Sequence, residues 1–326
     1  MDAATQRAKT RREHKPVTPE RVAALQGTDW VHAFFERYPR LRTLRAGAEE
    51  PFLRDAIDVH VHANPDTLGP RSQDISAVAV DAARAGMRAI LHKDHHHSTV
   101  GVAYMAQRLI DQLVERGELP RRVEVYGGIA TAFSTDPRLV QVLLASPQMR
   151  MIFFNCIYSE PLVEGGRVTA QARELIRIAA DHGIPITLCP PNHSVKQDQD
   201  DFEGTLPLVE AIADAGARAL LDHPVSAFTI DQTVRLVEFG VYAGVFCYPV
   251  IPTVAKAPAV DPDLVYDMIR AVGPERCVIG SDMGHILEPD AVSALRLLVR
   301  LLLAFALTDE QITRMCKTNP ERLLFG

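Results

Sequence analysis

Two histidines two residues apart, in Asp58-Val59-His60-Val61-His62, are the first residues of this 326-residue chain whose type and spacing call for chemistry. On an extended strand alternate side chains share a face, so both imidazoles project the same way. Two inward imidazoles are costly to bury alone, and a metal ion is the partner that relieves the cost. A second cluster, His92-Lys93-Asp94-His95-His96-His97, also follows an apolar run. Four imidazoles in six positions are too many for packing, although a His-rich surface loop is the plainer alternative. His95 is the first choice there for a ligand or proton-transfer group and His96 the second, with His92 and His97 as outer or exposed groups.

Three further segments place a His or a carboxylate just after an apolar run. They are Cys189-Pro190-Pro191-Asn192-His193, Asp222-His223-Pro224 and Ser281-Asp282-Met283-Gly284-His285. His223 and Asp282 are the candidates taken from them, with His193 a few residues past its strand. His182 is read instead as a partner for a helix C-terminus. Cys189 and Cys247 are read as small apolar fillers. Arg71, Tyr248 and His285 are candidates for contact with a substrate.

These residues sit in a regular frame. Short apolar runs at Ile57–His62, Arg88–Leu91, Val123–Ile129, Arg150–Phe154, Pro185–Leu188, Ala217–Leu221, Val241–Cys247 and Cys277–Gly280 read as strands. Helical patterns begin between them near Asp74, Gly101, Asp136, Thr169, Glu203, Thr229 and Asp261, with another from Asp290 after the last strand. Strands almost free of polar residues, alternating with amphipathic helices, predict an α/β fold with a parallel sheet buried on both faces. The stretch from residue 57 to the end is close to the roughly 250 residues of a (β/α)8 TIM barrel. A doubly wound open sheet is the alternative, but no strand is followed by GxGxxG. Residues 1–54 are read as a polar arm and helical extension, with a helix start at Thr18-Pro19-Glu20, and residues 55–326 as the metal-binding barrel. Thr308-Asp309-Glu310-Gln311 reads as a capping box opening a last helix.

Composition narrows the function classes. A net charge of −6 argues against a nucleic-acid-binding body, which needs concentrated positive charge. No apolar run is long enough to span a membrane. The five Cys form no CxxC pair, and the polar start lacks the apolar core of a secretory signal, so a cytoplasmic protein with reduced thiols is expected. A small-molecule substrate and a homo-oligomer, dimer or higher, complete the expectation. The 12 His are the one unusual feature.

Asp58-Val59-His60-Val61-His62, His223 after the sixth strand and Ser281-Asp282 after the eighth resemble the amidohydrolase superfamily. The closing Asn319-Pro320-Glu321-Arg322-Leu323-Leu324 is similar to that superfamily's last segment. Gly86-Met87-Arg88-Ala89-Ile90 with Lys93, His95 and Thr99 resembles a branch of metal-dependent hydrolases. The resemblance covers about residues 55–326. It implies one or two divalent metals (zinc, iron or manganese, two being favoured) that activate water. Carried over, His60 and His62 would hold the buried metal with Asp282 as axial ligand and proton acceptor. His193 and His223 would hold a second.

The chain also departs from the superfamily pattern. Strand four, Arg150-Met151-Ile152-Phe153-Phe154-Asn155, lacks the bridging carboxylated Lys or Glu of many dinuclear members, whereas Lys93 follows strand two. With His95 and His96 the set reaches seven protein ligands, an imidazole-rich environment that suits iron or manganese. The leading expectation is a hydrolase of an amide, ester or lactone-like bond, with Asp282, His95 and Lys93 in catalytic roles. The alternative is a non-haem dinuclear iron monooxygenase on the same barrel. A metal-stabilised, non-catalytic subunit is the third.

Overall fold

The computed structural model describes residues 35–131, 136–154, 162–190, 201–251 and 260–326. Eight strands form one parallel sheet: β1 (Ile57–Val61), β2 (Ala89–His92), β3 (Glu124–Ala130), β4 (Met149–Phe154), β5 (Ile186–Leu188), β6 (Ala219–Leu221), β7 (Tyr242–Phe246) and β8 (Cys277–Gly280). They are hydrogen-bonded in chain order from β1 to β8, the order a right-handed run of βα units produces. The helices that follow the successive strands are α1 (Ile75–Arg84), α2 (Val100–Glu115), α3 (Pro137–Leu143), α4 (Ala170–His182), α5 (Asp201–Asp214), α6 (Ile230–Val237), α7 (Pro262–Val272) and α8 (Ala291–Ala304). The result is a nearly closed (β/α)8 barrel.

Local sequence places most helix starts. The side chains of Asp74, Asp136, Thr169, Thr229, Asp261 and Asp290 each accept a backbone N–H in the first turn that follows. That contact satisfies donors the helix itself cannot. Thr308 and Gln311 form the expected reciprocal capping box. His182 ends α4, where its position suits the negative end of the helix. An antiparallel ribbon, Val163–Glu164 with Arg167–Val168, follows β4 in addition to the strands that the sequence pattern predicts.

The core divides in two. A large cluster joins the outer faces of the strands to the helices. A smaller one, including Val59, Leu91, Met151, Phe153, Leu220, Phe246 and Val278, fills the barrel and is capped by Leu323 and Leu324 of the last helix. Asn319 fastens that helix to the strand starts by donating to the carbonyls of Pro274 (2.8 Å) and Cys277 (2.7 Å). The described part of the N-terminal segment lies against α7 and α8. Tyr38 Oη donates to Asp263 (2.9 Å), Arg296 pairs with Glu50 (2.6 Å) and Arg300 pairs with Glu49. The predicted helix start at Thr18 lies outside the described residues. Among the described residues no helix is long and apolar enough to cross a membrane.

Candidate metal centre

The histidine pair owes its direction to an irregularity in β1. Asp58 pairs with Ile90 while Val61 pairs with His92, so three steps on β1 span two on β2. An extra residue of this kind re-aims the side chains beyond it. Val59 therefore belongs to the inner cluster, Val61 packs with the outer one, and the His60 ring meets inner Phe246 edge-on at 4.8 Å. Among the described residues no ladder joins β1 to β8, and the buried Asp58 carboxylate and a backbone hydrogen bond link the two strand ends. Asp58 Oδ1 accepts the backbone N–H groups of His60 (3.0 Å) and Ser281 (3.1 Å), and the Asp282 N–H donates to the His60 carbonyl (2.8 Å). Asp282 and His223 both have positive φ, 45° and 27°, a region side-chain-bearing residues rarely occupy and one that gathers at working sites. Gly284 passes so close to the His62 carbonyl that a Cβ there would stand 2.3 Å from it.

These constraints bring three donors together. Asp282 Oδ1 lies 3.2 Å from His60 Nε2 and 3.4 Å from His62 Nε2, and the two nitrogens are 3.2 Å apart. Ligands about 2.1 Å from one ion stand about 3.0 Å apart along an octahedral edge and about 3.4 Å along a tetrahedral one, so the spacing fits a single cation. His223 Nε2 is 3.6 Å from the other oxygen, Asp282 Oδ2, which is buried and makes no hydrogen bond among the described residues. An orphaned buried carboxylate oxygen is the kind of atom a cation satisfies.

Each outer ring nitrogen faces a carboxylate. His60 Nδ1 is 3.2 Å from Asp222 Oδ1, and His62 Nδ1 is 3.3 Å from Asp66 Oδ2. A carboxylate behind the ring holds the proton on Nδ1 and leaves the Nε2 lone pair facing inward, the usual support of a metal-binding imidazole. Both carboxylates have cationic partners. Lys93 Nζ lies 2.6 Å from Asp222 Oδ2, and Arg71 Nη2 lies 2.8 Å from Asp66 Oδ2. His95 stacks on His62 with centroids 4.6 Å apart, and the three donors His62, Asp66 and His95 form a second cluster. Cys189, Asp222 and His223 form a third.

Burial and charge set the protonation states. Burial takes His60 down to about 4 and also lowers His223. Burial also disfavours the charged form of His62, but Asp282 and Asp66 outweigh it and the group is raised. Burial would lift the Asp282 carboxyl, yet the surrounding His60, His62 and His223 rings carry it well below the ordinary range. Lys93 resists its burial because Asp222 faces it, and is raised. His95 is lowered by burial and by the neighbouring His62, Lys93 and Arg71 charges. Asp66, despite burial, falls to about 2 through His62 and Arg71.

The model of a family of unknown function, DUF6282, matches residues 55–244. The chain belongs to the DUF6282 family. No curated protein matches it in sequence. Among solved structures it is similar to an amidohydrolase from Pseudomonas aeruginosa, with a TM-score of 0.56 at 12% identity, covering 84% of this chain and 97% of that one. The phosphotriesterase homology protein from Escherichia coli, complexed with phosphate in its active site, gives a TM-score of 0.54 at 15% identity over 83% of this chain and 98% of that one. A dihydroxybenzoic acid decarboxylase from Polaromonas sp. JS666, with bound manganese and an inhibitor, gives 0.52 at 12% over 83% and 97%. The structural neighbours are amidohydrolase-superfamily enzymes, and the DUF6282 chain shares their fold.

Of the residues singled out in the sequence, His60, His62, His223 and Asp282 meet in the DUF6282 barrel, and His95 stacks beside them. His96 joins none of the three donor clusters among the described residues; its backbone N–H donates to Asp94. His92 is fully buried with Nε2 against the Ala63 carbonyl (3.0 Å), and His97 is exposed. His193 lies outside the described residues. Lys93 reaches the donors through Asp222. The Arg71 side chain is buried against Asp66 while its backbone pairs with that of His285 in an isolated antiparallel bridge, and Tyr248 packs on the His223 ring at 5.7 Å. Asp222 and Asp66 were not among the candidates. Asp222 could have been found, since it directly follows the apolar run of β6, whereas Asp66 sits in a polar loop with no local signal.

Proposed function

We propose that this chain is a metal-dependent hydrolase of the amidohydrolase type, acting on an amide, ester or lactone-like bond of a small molecule. The observation that supports it is the convergence of His60 Nε2 and His62 Nε2 on Asp282 Oδ1, at the end of the barrel where such folds carry their chemistry. A divalent cation held by His60, His62 and Asp282, with His223 beside it, would polarise a scissile carbonyl and bring the pKa of water toward neutrality. The chain's own groups supply the remaining requirements. Asp222 and Asp66 fix the two imidazoles with their Nε2 atoms inward. Asp282 Oδ2 is placed to accept a proton from the attacking water. His223 Nε2, 3.6 Å from that oxygen, is the next group able to pass the proton to a leaving group. Phe246, against His60, keeps water from the floor of the site. His95, Tyr248 and His285 stand around the mouth as groups for substrate contact or proton transfer.

The test is turnover of a panel of aryl esters, lactones and N-acyl amides by protein stripped of metal and reloaded with zinc or manganese. Hydrolysis restored by metal, and lost in His60→Ala/His62→Ala together with the bound metal, supports the reading. Carbon dioxide release without addition of water would replace it with decarboxylation. Iron with oxygen consumption on substrate addition would replace it with the oxygenase alternative. What favours hydrolysis over that alternative is that two of the three donor clusters already have a cationic side chain on their carboxylate.

A further inference from the structure

We propose that Lys93 is the second cation of this centre, supplied by the chain itself, so that one divalent ion is bound, through His60, His62 and Asp282. The inference rests on reading the centre as a divalent-cation site and goes on to fix how many ions it takes.

Each of the three donor clusters contains one carboxylate, and the partners of those carboxylates differ. Asp222, the acid of the Cys189–Asp222–His223 cluster, has Lys93 Nζ at 2.6 Å, with both residues at most 2% exposed. Asp66, the acid of the His62–Asp66–His95 cluster, has Arg71 Nη2 at 2.8 Å, again with both side chains buried. Asp282 is different: its ion-pair neighbours among the described residues are the imidazoles of His60, His62 and His223. One carboxylate of the three is therefore left for an external cation.

The placement of Lys93 makes it a substitute rather than a bystander. It follows β2 and Asp222 follows β6, strands opposite one another in the eight-membered ring, so the pair spans the barrel interior. Its ammonium lies 5.6 Å from the centroid of the Phe153 ring, enclosed by the inner cluster. A divalent ion seated on Cys189, Asp222 and His223 would meet a fixed positive charge that has no route to solvent. The same ammonium holds the Asp222 carboxylate against His60 Nδ1, so it supports the first ion while it excludes a second.

The experiment measures bound metal by elemental analysis on full-length chain, stripped with chelator and reloaded with excess zinc or, separately, cobalt(II). Wild type is expected to hold one equivalent and to show no thiolate-to-cobalt charge-transfer absorption. Lys93→Met is expected to move toward two equivalents and to gain that absorption, which Cys189→Ser in the same background removes. Lys93→Arg, which keeps the charge, stays at one. Lys93→Gln serves as a second neutral variant if Lys93→Met folds poorly. Two equivalents in wild type, or a neutral variant that folds and stays at one, overturns this proposal alone. No bound metal in wild type overturns it together with the reading of the centre on which it rests.

Discussion

Lys93 and Asp222 lie 129 positions apart and meet at 2.6 Å in a site closed to water, which makes their coupling measurable without any substrate. At that distance an effective dielectric of about 20 gives an attraction of ~6 kcal/mol. Desolvating the two charges offsets most of it, so the pair as a whole contributes little net stability. Removing one partner strands the other charge, at a cost of about 3–5 kcal/mol. Lys93→Met and Asp222→Asn should each destabilise the metal-free protein by that amount. The double variant should be far better than the sum of the two, with a coupling of about 3 kcal/mol, near the top of the range for contacting residues. Asp222→Asn also loses its charge beside His60 Nδ1, so the double variant should still fall short of wild type. The assay is urea unfolding followed by circular dichroism with chelator present, accepted only where the denaturant slope is unchanged across the four proteins. Losses that add to within about 0.5 kcal/mol would show that the two groups do not form a pair, and Lys93 would then not be the second cation of the centre.

Asp282→Asn should lower kcat by a factor of at least about 10³ with a smaller change in KM, as loss of a proton acceptor does, and should weaken metal binding; steady-state kinetics on the reloaded enzyme with parallel metal analysis reads both. Gly284→Ala should destabilise the fold by about 1–3 kcal/mol and reduce metal affinity, because its Cβ would press on the His62 carbonyl; unchanged thermal melting and metal content would contradict the close approach. Burial works to raise the Glu49 carboxyl, but its contacts with Arg300 and Arg296 prevail and its value is lowered. A carboxylate depressed in the folded state contributes stability above its unfolded value and loses it as pH falls through the folded one. Glu49→Gln should therefore cost about 1 kcal/mol at neutral pH, a modest amount because the Arg300 partner is half exposed, with the gap closing in acid; a gap independent of pH in urea unfolding would contradict the pairing.

The two kinds of information divided cleanly along the chain. Helix starts were legible because capping is local: Asp74, Thr169, Thr229 and Asp290 need only their own next turn to act. Strand positions were legible because strands buried on both faces must be apolar throughout, and their alternation with helices leaves few arrangements other than a barrel. His60 and His62 were legible as a same-face pair at the end of the first run, and His223 and Asp282 because a polar group just after such a run sits at the barrel mouth.

What lay outside the sequence depends on residues far apart in it. Strand parity says that His60 and His62 share a face, but their inward direction comes from an irregularity between Asp58 and Val61 that exists only as a mismatch with β2. In the His92–His97 cluster local spacing could rank the imidazoles, but only the fold shows His95 stacked on His62 and His96 outside the donor clusters found among the described residues. Local sequence offers Lys93 as a catalytic residue or as the counterpart of a missing bridge, and only the fold shows that β6 brings Asp222 to it. The sequence by itself determined the barrel, its helix caps and a histidine-rich mouth, because those follow from periodicity and local hydrogen bonding. Which charges neutralise one another inside that mouth, and that Asp282 has imidazoles where Asp222 and Asp66 have Lys93 and Arg71, was decided by tertiary structure, because ion pairing in a buried site depends on distances between strands that no local pattern encodes.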